Sequence, residues 1–248
     1  MDIWKSVNGL QSIQSLDCKA YRVVEDQYKN STLKLVDSTT EQEILEILLD
    51  HSKPPAPLVN SRGKLSYLLY TKFRYPPLRY GSRFGKHTEQ SIFYSSLELK
   101  TALAERAYLQ LLHNTATKAD LRAADSSFTH FQVHVKTQQA IRLEHEPFNK
   151  FKGEISNPTS YDESQPLGSA MRQAGIEAFS FYSARILNGI NIGLFSVEAF
   201  AKNEEFGKQN WLAHIGKDKV IFRSLSTSEM FAFGVQDFAV NGKFPFIQ

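Results

Sequence analysis

Apolar and polar positions along the chain repeat with two different periods, and the switches between them mark out its elements. Residues 1–18 carry Ile3, Trp4, Val7, Leu10, Ile13 and Leu16 at spacings that predict a short amphipathic helix, able to pack on the domain or on a partner. CKAYRVVED then predicts a short strand through Tyr21, Val23 and Val24, with Arg22 on the face opposite Tyr21 and Val23. Arg22 has two readings there. It is a solvated arginine on an edge strand, or a guanidinium aimed into a cleft, where its planar fork suits phosphate or carboxylate. Residues 38–49, STTEQEILEILL, predict a helix capped by Ser38, Thr39 or Thr40, with Glu41 and Glu43 at its positive end and Ile44, Leu45, Ile47, Leu48 and Leu49 on its apolar side. The prolines of KPPAP (53–57) break it. SYLLYT (66–71) is a further apolar segment, ended by Pro76 and Pro77. Residues 25–75 therefore read as an insertion or flanking layer with no evident chemistry.

Residues 79–112, RYGSRFGKHTEQSIFYSSLELKTALAERAYLQLL, form the centre of the pattern. A basic, glycine-bearing loop with Arg79, Tyr80, Gly81, Ser82, Arg83, Phe84 and Gly85 runs into SIFY (91–94), a buried strand, and then into a long helix. At about 100° per residue, Glu105 shares a helix face with Thr101, Ala102, Tyr108, Leu109 and Leu112, while Lys100, Arg106 and Gln110 face solvent. A carboxylate on an apolar stripe is costly unless a charged or hydrogen-bonding group meets it.

After this helix, residues 114–127 read as a polar loop. THFQVHVKT (129–137) is a strand in which Phe131, Val133 and Val135 alternate with Gln132, His134 and Lys136. AIRLEHEPF starts another strand. SQPLGSAMRQAG (164–175) predicts a short helix closed by Gly175. IEAFSFYSAR (176–185) and NIGLFSV (191–197) predict two strands around a turn at Asn188 and Gly189. KVIFRSLS (219–226) and FGVQDFAV (233–240) supply one or two more. Strands and helices mix without regular βαβ alternation, so the fold class is α+β.

Composition narrows the function. The 248 residues suit one domain with embellishments, and an apolar share of 42% with 12% aromatics is ample for a packed core. A net charge of +3 is too small to imply a nucleic-acid partner. The single cysteine, Cys18, excludes an internal disulfide framework and a cysteine-rich metal site. His130, His134 and His145 could suggest metal ligation, but His130 and His134 stand on the polar face of a strand with no carboxylate or cysteine at ligand spacing nearby, so no metal is expected. MDIWKSVNGLQ is not a signal peptide, and no apolar run reaches the roughly 18–20 residues of a membrane span. A soluble, cytoplasmic protein with no membrane or direct nucleic-acid contact is the expectation. P-loop, dinucleotide-fingerprint, zinc-protease and hydrolase-elbow motifs are absent.

Arginine, aromatic and carboxylate remain. Tyr94 and Glu105 stand eleven residues apart, at a strand end and one to two turns into the next helix, a spacing that can bring both to one cleft. The alternative is a structural pairing of Glu105 with a nearby arginine. A substrate using all three groups is a dinucleotide with a glycosidic bond to a cationic leaving group. Arginines hold the pyrophosphate, an aromatic ring stacks on nicotinamide, and the carboxylate stabilises positive charge on the ribose.

The same residues resemble the RES domain, the toxin of a bacterial toxin–antitoxin pair. The matching pieces are AYRVVED with Arg22, RYGSRFG with Arg83, IFYSSLELKTALAE with Tyr94 and Glu105, SQPLG with Ser164, and FYSARILNGINIGLF with Ser183 and Arg185. They occur in the family's order between about residues 20 and 200. The resemblance implies a fold similar to the ADP-ribosyltransferases, with a mixed or antiparallel sheet and flanking helices. It implies an enzyme that consumes NAD+ as substrate, with inorganic phosphate or water as acceptor and no separate cofactor. It also implies a cognate helix-turn-helix (Xre-like) antitoxin as partner, and leaves a homo-oligomer open. By motif, Arg22 and Arg83 would bind the NAD+ phosphates, Tyr94 would stack near nicotinamide, and Glu105 would act on its ribose. Ser164 matches the family serine best, with Ser183 and Arg185 as further substrate contacts. The additions at 1–18, at 25–75 and beyond about 200 set this chain apart from compact members. ADP-ribose transfer to a macromolecule, and a silent binding module whose Arg22, Arg83 and Glu105 form an ion-pair network, are the competing readings.

Overall fold

A computed structural model of the chain describes residues 2–26, 36–53, 63–75, 77, 79–117 and 123–246, and the break at 53–57 and Pro76 lie largely outside them. Its frame is an eight-stranded mixed sheet with helices, an α+β architecture as the pattern predicts. The strands are β1 (Gln14–Glu25), β2 (Phe93–Ser96), β3 (Ala124–Arg142), β4 (Ala178–Tyr182), β5 (Ile190–Leu194), β6 (Phe206–Ile215), β7 (Lys219–Ser224) and β8 (Met230–Gly234). Their order is β1-β2-β5-β4-β3-β6-β7-β8, and β1 also pairs with β3. That extra pairing closes β1, β2, β5, β4 and β3 into a ring. Only β3 and β4 run parallel; the other pairings are antiparallel.

Strand alternation sorts side chains between the two faces of this ring. Register pairs Ala20 with Val133, Cys18 with Val135 and Phe93 with Leu194, and these residues share one core with Leu16, Phe131, Ala140, Ala178 and Ile192. Every strand of the ring contributes to it. The opposite face carries two further clusters, one around Phe84, Phe179 and Phe181, the other around Leu103, Phe128, Trp211 and Phe222.

The helices are α1 (Ile3–Ser6), α2 (Thr39–Ser52), α3 (Tyr67–Arg74), α4 (Leu99–Ala116), α5 (Lys152–Ile155) and α6 (Ser164–Gln173). The N-terminal stretch corrects the sequence pattern. Helix is confined to α1 and a 3-10 turn over Gly9–Ser12, because Asn8 takes a left-handed conformation and turns the chain away. Gln14 onward is already strand, since a long ladder with β3 outweighs the weak helical spacing. Ser38 caps α2 as predicted, its hydroxyl accepting the Glu41 N–H at 3.2 Å. SYLLYT is the start of α3, and Leu65, Leu69 and Phe73 from this stretch belong to the inner core, with Phe73 stacked on Phe93.

Three further boundaries move. The loop expected over 114–127 shrinks, because α4 runs to Ala116 and β3 begins at Ala124 and includes AIR. The sequence pattern misses β6, in which only Trp211 and Ala213 are fully buried, too sparse a signal for a strand. FGVQDFAV is strand only at its start; the Gly234 N–H donates to the Asp237 carboxylate at 2.7 Å and closes a 3-10 turn over Val235–Phe238. The histidines have structural work. His130 accepts the Trp211 indole N–H at 2.7 Å, and His134 bonds Asp17 at 2.7 Å. Among the described residues no helix is long and apolar enough to cross a membrane. The Phe73 stack makes α3 part of the core: Phe73→Ala should cost about 3–5 kcal/mol in chemical denaturation. A loss below about 1 kcal/mol would mean that α3 merely leans on the ring.

A candidate active site around Glu105

Helix α4 follows β2 after a two-residue turn, so the end of β2 and the first turns of α4 lie together. The buried face of α4 runs through Thr101, Ala102, Leu103, Ala104, Ala107, Tyr108 and Leu111. Glu105 stands at the edge of that face and is half-buried, whereas Leu109, expected beside it, is exposed. Two donors meet its carboxylate on a single oxygen. Ser183 Oγ donates to Oε1 at 2.7 Å, and Asn191 Nδ2 donates to the same atom at 2.6 Å. Ser183 follows β4 directly, and its hydroxyl also accepts the Arg185 N–H at 3.0 Å.

Two buried guanidiniums flank this carboxylate. Arg83 is 8% exposed and Arg185 6%, so each carries its charge largely out of water. Arg83 donates to the Asn157 carbonyl at 2.6 Å, and Arg185 to the next carbonyl, that of Pro158, at 3.1 Å. The turn bearing them is folded by Asn157, whose side-chain oxygen accepts the N–H groups of Thr159 and Ser160. Each guanidinium also covers an aromatic face: Arg83 lies 5.0 Å from the Tyr161 ring centre and Arg185 3.4 Å from that of Tyr108. Burial lowers the Arg185 pKa, with Tyr108 and Glu105 opposing it, and burial raises those of Tyr161 and Tyr108. Backbone carbonyls orient both cations without adding a countercharge.

The loop carrying Arg83 is fixed from two sides. Gly81 has φ +72°, and a Cβ there would collide with the Gly85 carbonyl, which accepts the Ser82 N–H at 2.7 Å. Tyr94 binds the loop rather than standing open: its hydroxyl accepts the Phe84 N–H at 3.2 Å and bonds Ser82 Oγ at 3.0 Å. Burial pushes the Tyr94 pKa up. From the other side, Gln165 on α6 donates to the carbonyls of Tyr80 and Ser82. Gly168 lets α6 lie directly on the Phe84 backbone, where any Cβ would strike the carbonyl. The SQPLG motif thus clamps the RYGSRFG motif. Ser164 within it is fully buried, its hydroxyl turned to the Tyr161 carbonyl at 3.4 Å. The serine on Glu105 is Ser183.

Arg22 belongs to a different group. Its alternation places it with Phe93 on the inner face of the ring, while Tyr94, Ser96 and Asn191 lie on the outer face with Glu105. Its guanidinium sits 4.3 Å from the Phe93 ring centre and donates to the Tyr94 carbonyl at 2.5 Å. Burial first, and then the nearby Arg106 charge, lower its pKa to about 10. Arg106, next to Glu105 on α4, pairs with Glu25 at 3.2 Å, and its Nε is buried without a partner among the described residues. Lys72 on α3 joins them. Although the residue is exposed overall, partial desolvation, then Arg22 and Arg106, lower its pKa to about 8. Three mutually repelling cations therefore meet at one end of the ring, one helix position from Glu105.

Sequence reasoning missed Asn191, Tyr161, Arg106 and Lys72 as members of these groups. Asn191 had a signal, since a buried amide inside the apolar run INIGLF needs a partner. The RES domain profile matches residues 57–214, more than half of the chain. Comparison with curated proteins gives no match. Gly168→Ala should push α6 off the Phe84 carbonyl, lowering stability by about 1–3 kcal/mol in urea denaturation. An unchanged midpoint would show that the α6–loop contact yields freely.

Proposed function

The chain belongs to the RES domain family, and on that premise we propose that it degrades NAD+ by cleaving the nicotinamide–ribose bond. RES membership supports an NAD-related, toxin-type enzyme in general. The observation that carries the finer reading is the half-buried Glu105 carboxylate, held by Ser183 and Asn191 and flanked by the unneutralised cations Arg83 and Arg185. A fixed carboxylate beside fixed cations suits a substrate with a positive reacting centre and a negative pyrophosphate.

In this reading the bond between the nicotinamide ring nitrogen and the ribose C1′ breaks. Both of its electrons leave with nicotinamide, which departs neutral and needs no general acid. Glu105 stabilises the cationic ribose. An oxygen of inorganic phosphate or of water then bonds to C1′, and its proton passes to solvent. The products are nicotinamide with a phosphorylated ADP-ribose or with ADP-ribose. Arg83 and Arg185, and Arg22 with Lys72 and Arg106, provide the positive charge for the pyrophosphate and for inorganic phosphate. Tyr94 contributes by holding the Arg83 loop, with its ring roughly perpendicular to that of Phe181. The proposed setting is the bacterial cytoplasm, with a helix-turn-helix antitoxin blocking the site.

Purified protein incubated with NAD+, with and without phosphate, tests this by chromatography of the products. Nicotinamide release is the expected result, and the partner product identifies phosphate or water as acceptor. Label transferred to a macromolecule would favour ADP-ribosyl transfer, and unchanged NAD+ would contradict the proposal. Glu105→Ala should remain folded and lose turnover by about 10²–10³-fold or more. Wild-type turnover by that variant would remove Glu105 from the chemistry.

The cation group adds a pH dependence. An anion bound beside Lys72 favours its charged form, so binding raises a pKa that starts at about 8. NAD+ binding to the Glu105→Ala protein should take up protons at about pH 8.5 and almost none at about pH 6.5, where Lys72 is already charged. Calorimetry in buffers of different ionisation enthalpy measures the uptake, and equal uptake at both pH values would exclude Lys72 from the site.

A further inference from the structure

Asn191 lies on β5, opposite Ser96 on β2 and Phe181 on β4. It is 4% exposed and Ser96 3%, so both polar side chains must find partners inside the protein. They find each other and Glu105. Ser96 Oγ donates to Asn191 Oδ1 at 2.7 Å, and Asn191 Nδ2 donates to Glu105 Oε1 at 2.6 Å. An ionised carboxylate only accepts hydrogen bonds, so the amide must turn its NH2 end toward Glu105 and its oxygen toward Ser96. A flipped amide would set oxygen against oxygen.

Ser183 is constrained in the same sense. The Arg185 N–H occupies a lone pair of its hydroxyl, and the hydroxyl proton points to Oε1. Both donors therefore converge on one oxygen of Glu105. No described residue donates a hydrogen bond to the other oxygen, Oε2, and Glu105 is only half-buried. The charged and titratable groups around the carboxylate are Arg185, Tyr108 and Tyr161, with Arg83 coupled to all three.

We propose that Asn191, oriented by Ser96, is a positioning residue that anchors Glu105 through Oε1 and so presents Oε2 alone to the substrate. The inference rests on the proposed NAD+ chemistry for its consequence, but not for its geometry. A carboxylate free to rotate would offer either oxygen over a range of directions. One anchored by two donors offers a single oxygen in a set direction, the form of preorganisation that raises kcat without tightening ground-state binding. Ser96 and Asn191 pair across β2 and β5, so the anchor is built on strands rather than on a loop.

The test compares Asn191→Asp and Ser96→Ala with wild type. Asn191→Asp keeps the shape and replaces the donor by a carboxylate facing Glu105. It should lower kcat by about 10²-fold with KM nearly unchanged, and move the acid limb of the pH–rate profile upward by about one unit or more. Ser96→Ala frees the amide to rotate and should give the same changes on a smaller scale. A second readout needs no turnover: carbon-13 NMR of the Glu105 carboxyl, assigned by its loss in Glu105→Gln. Its titration should move upward in Asn191→Asp and less in Ser96→Ala. If wild type leaves NAD+ intact, the proposed chemistry fails while this titration still decides the positioning role. If Asn191→Asp does not fold, Ser96→Ala decides alone. A Glu105 titration identical to wild type in the folded variants overturns the proposal.

Discussion

The pairing of β1 with β3 is the constraint on which the rest of the structure depends. Without it the strands form an open sheet; with it, β1, β2, β5, β4 and β3 close into a ring with one shared interior. Closure gives every residue of these strands an inside or an outside, because alternation along a strand leaves no third choice. Phe93 and Ile192 go in, and Tyr94, Ser96 and Asn191 go out. Helix α4 then covers the outer side and brings Glu105 to Ser183 and Asn191. The same rule sends Arg22 inward at the ring's end, where Arg106 and Lys72 meet it.

The polar groups of the site follow from what burial demands. A half-buried carboxylate requires donors, and Ser183 just after β4 and Asn191 on β5 supply them. Buried guanidiniums require acceptors, and the Asn157–Pro158 turn supplies two consecutive carbonyls. Had those acceptors been carboxylates, Arg83 and Arg185 would be neutralised and of little use to an anionic ligand. Gly81 and Gly168 allow the backbone contacts that hold the Arg83 loop in place. The site's geometry is thus determined by strands, a helix and a clamped loop rather than by the charges alone.

Much of this was legible in the residues. Glu105 on an apolar helix face was anomalous enough to mark the site, and the order of the arginine, tyrosine and serine motifs identified the family. Local pattern found α2, α4, α6 and the body of β3. It failed where distant pairing decides. Gln14–Glu25 reads partly as helix until β3 is laid beside it, and β6 has too few buried residues to announce a strand. The division between Arg22 and Glu105 was hidden for the same reason, since closure of the ring sets which way Arg22 points. The hydroxyl of Tyr94 is taken up by the loop, bonding Ser82 Oγ at 3.0 Å and accepting the Phe84 N–H at 3.2 Å, contacts that no local pattern announces.

The central claim is that Glu105 faces the nicotinamide ribose while the surrounding arginines hold the pyrophosphate. A crystal structure of Glu105→Gln protein with NAD+ tests it most directly. The account predicts the nicotinamide-ribose carbon against the side chain of residue 105, with the pyrophosphate on the arginines that flank it. NAD+ seated elsewhere on the protein, without contact to residue 105, would contradict it.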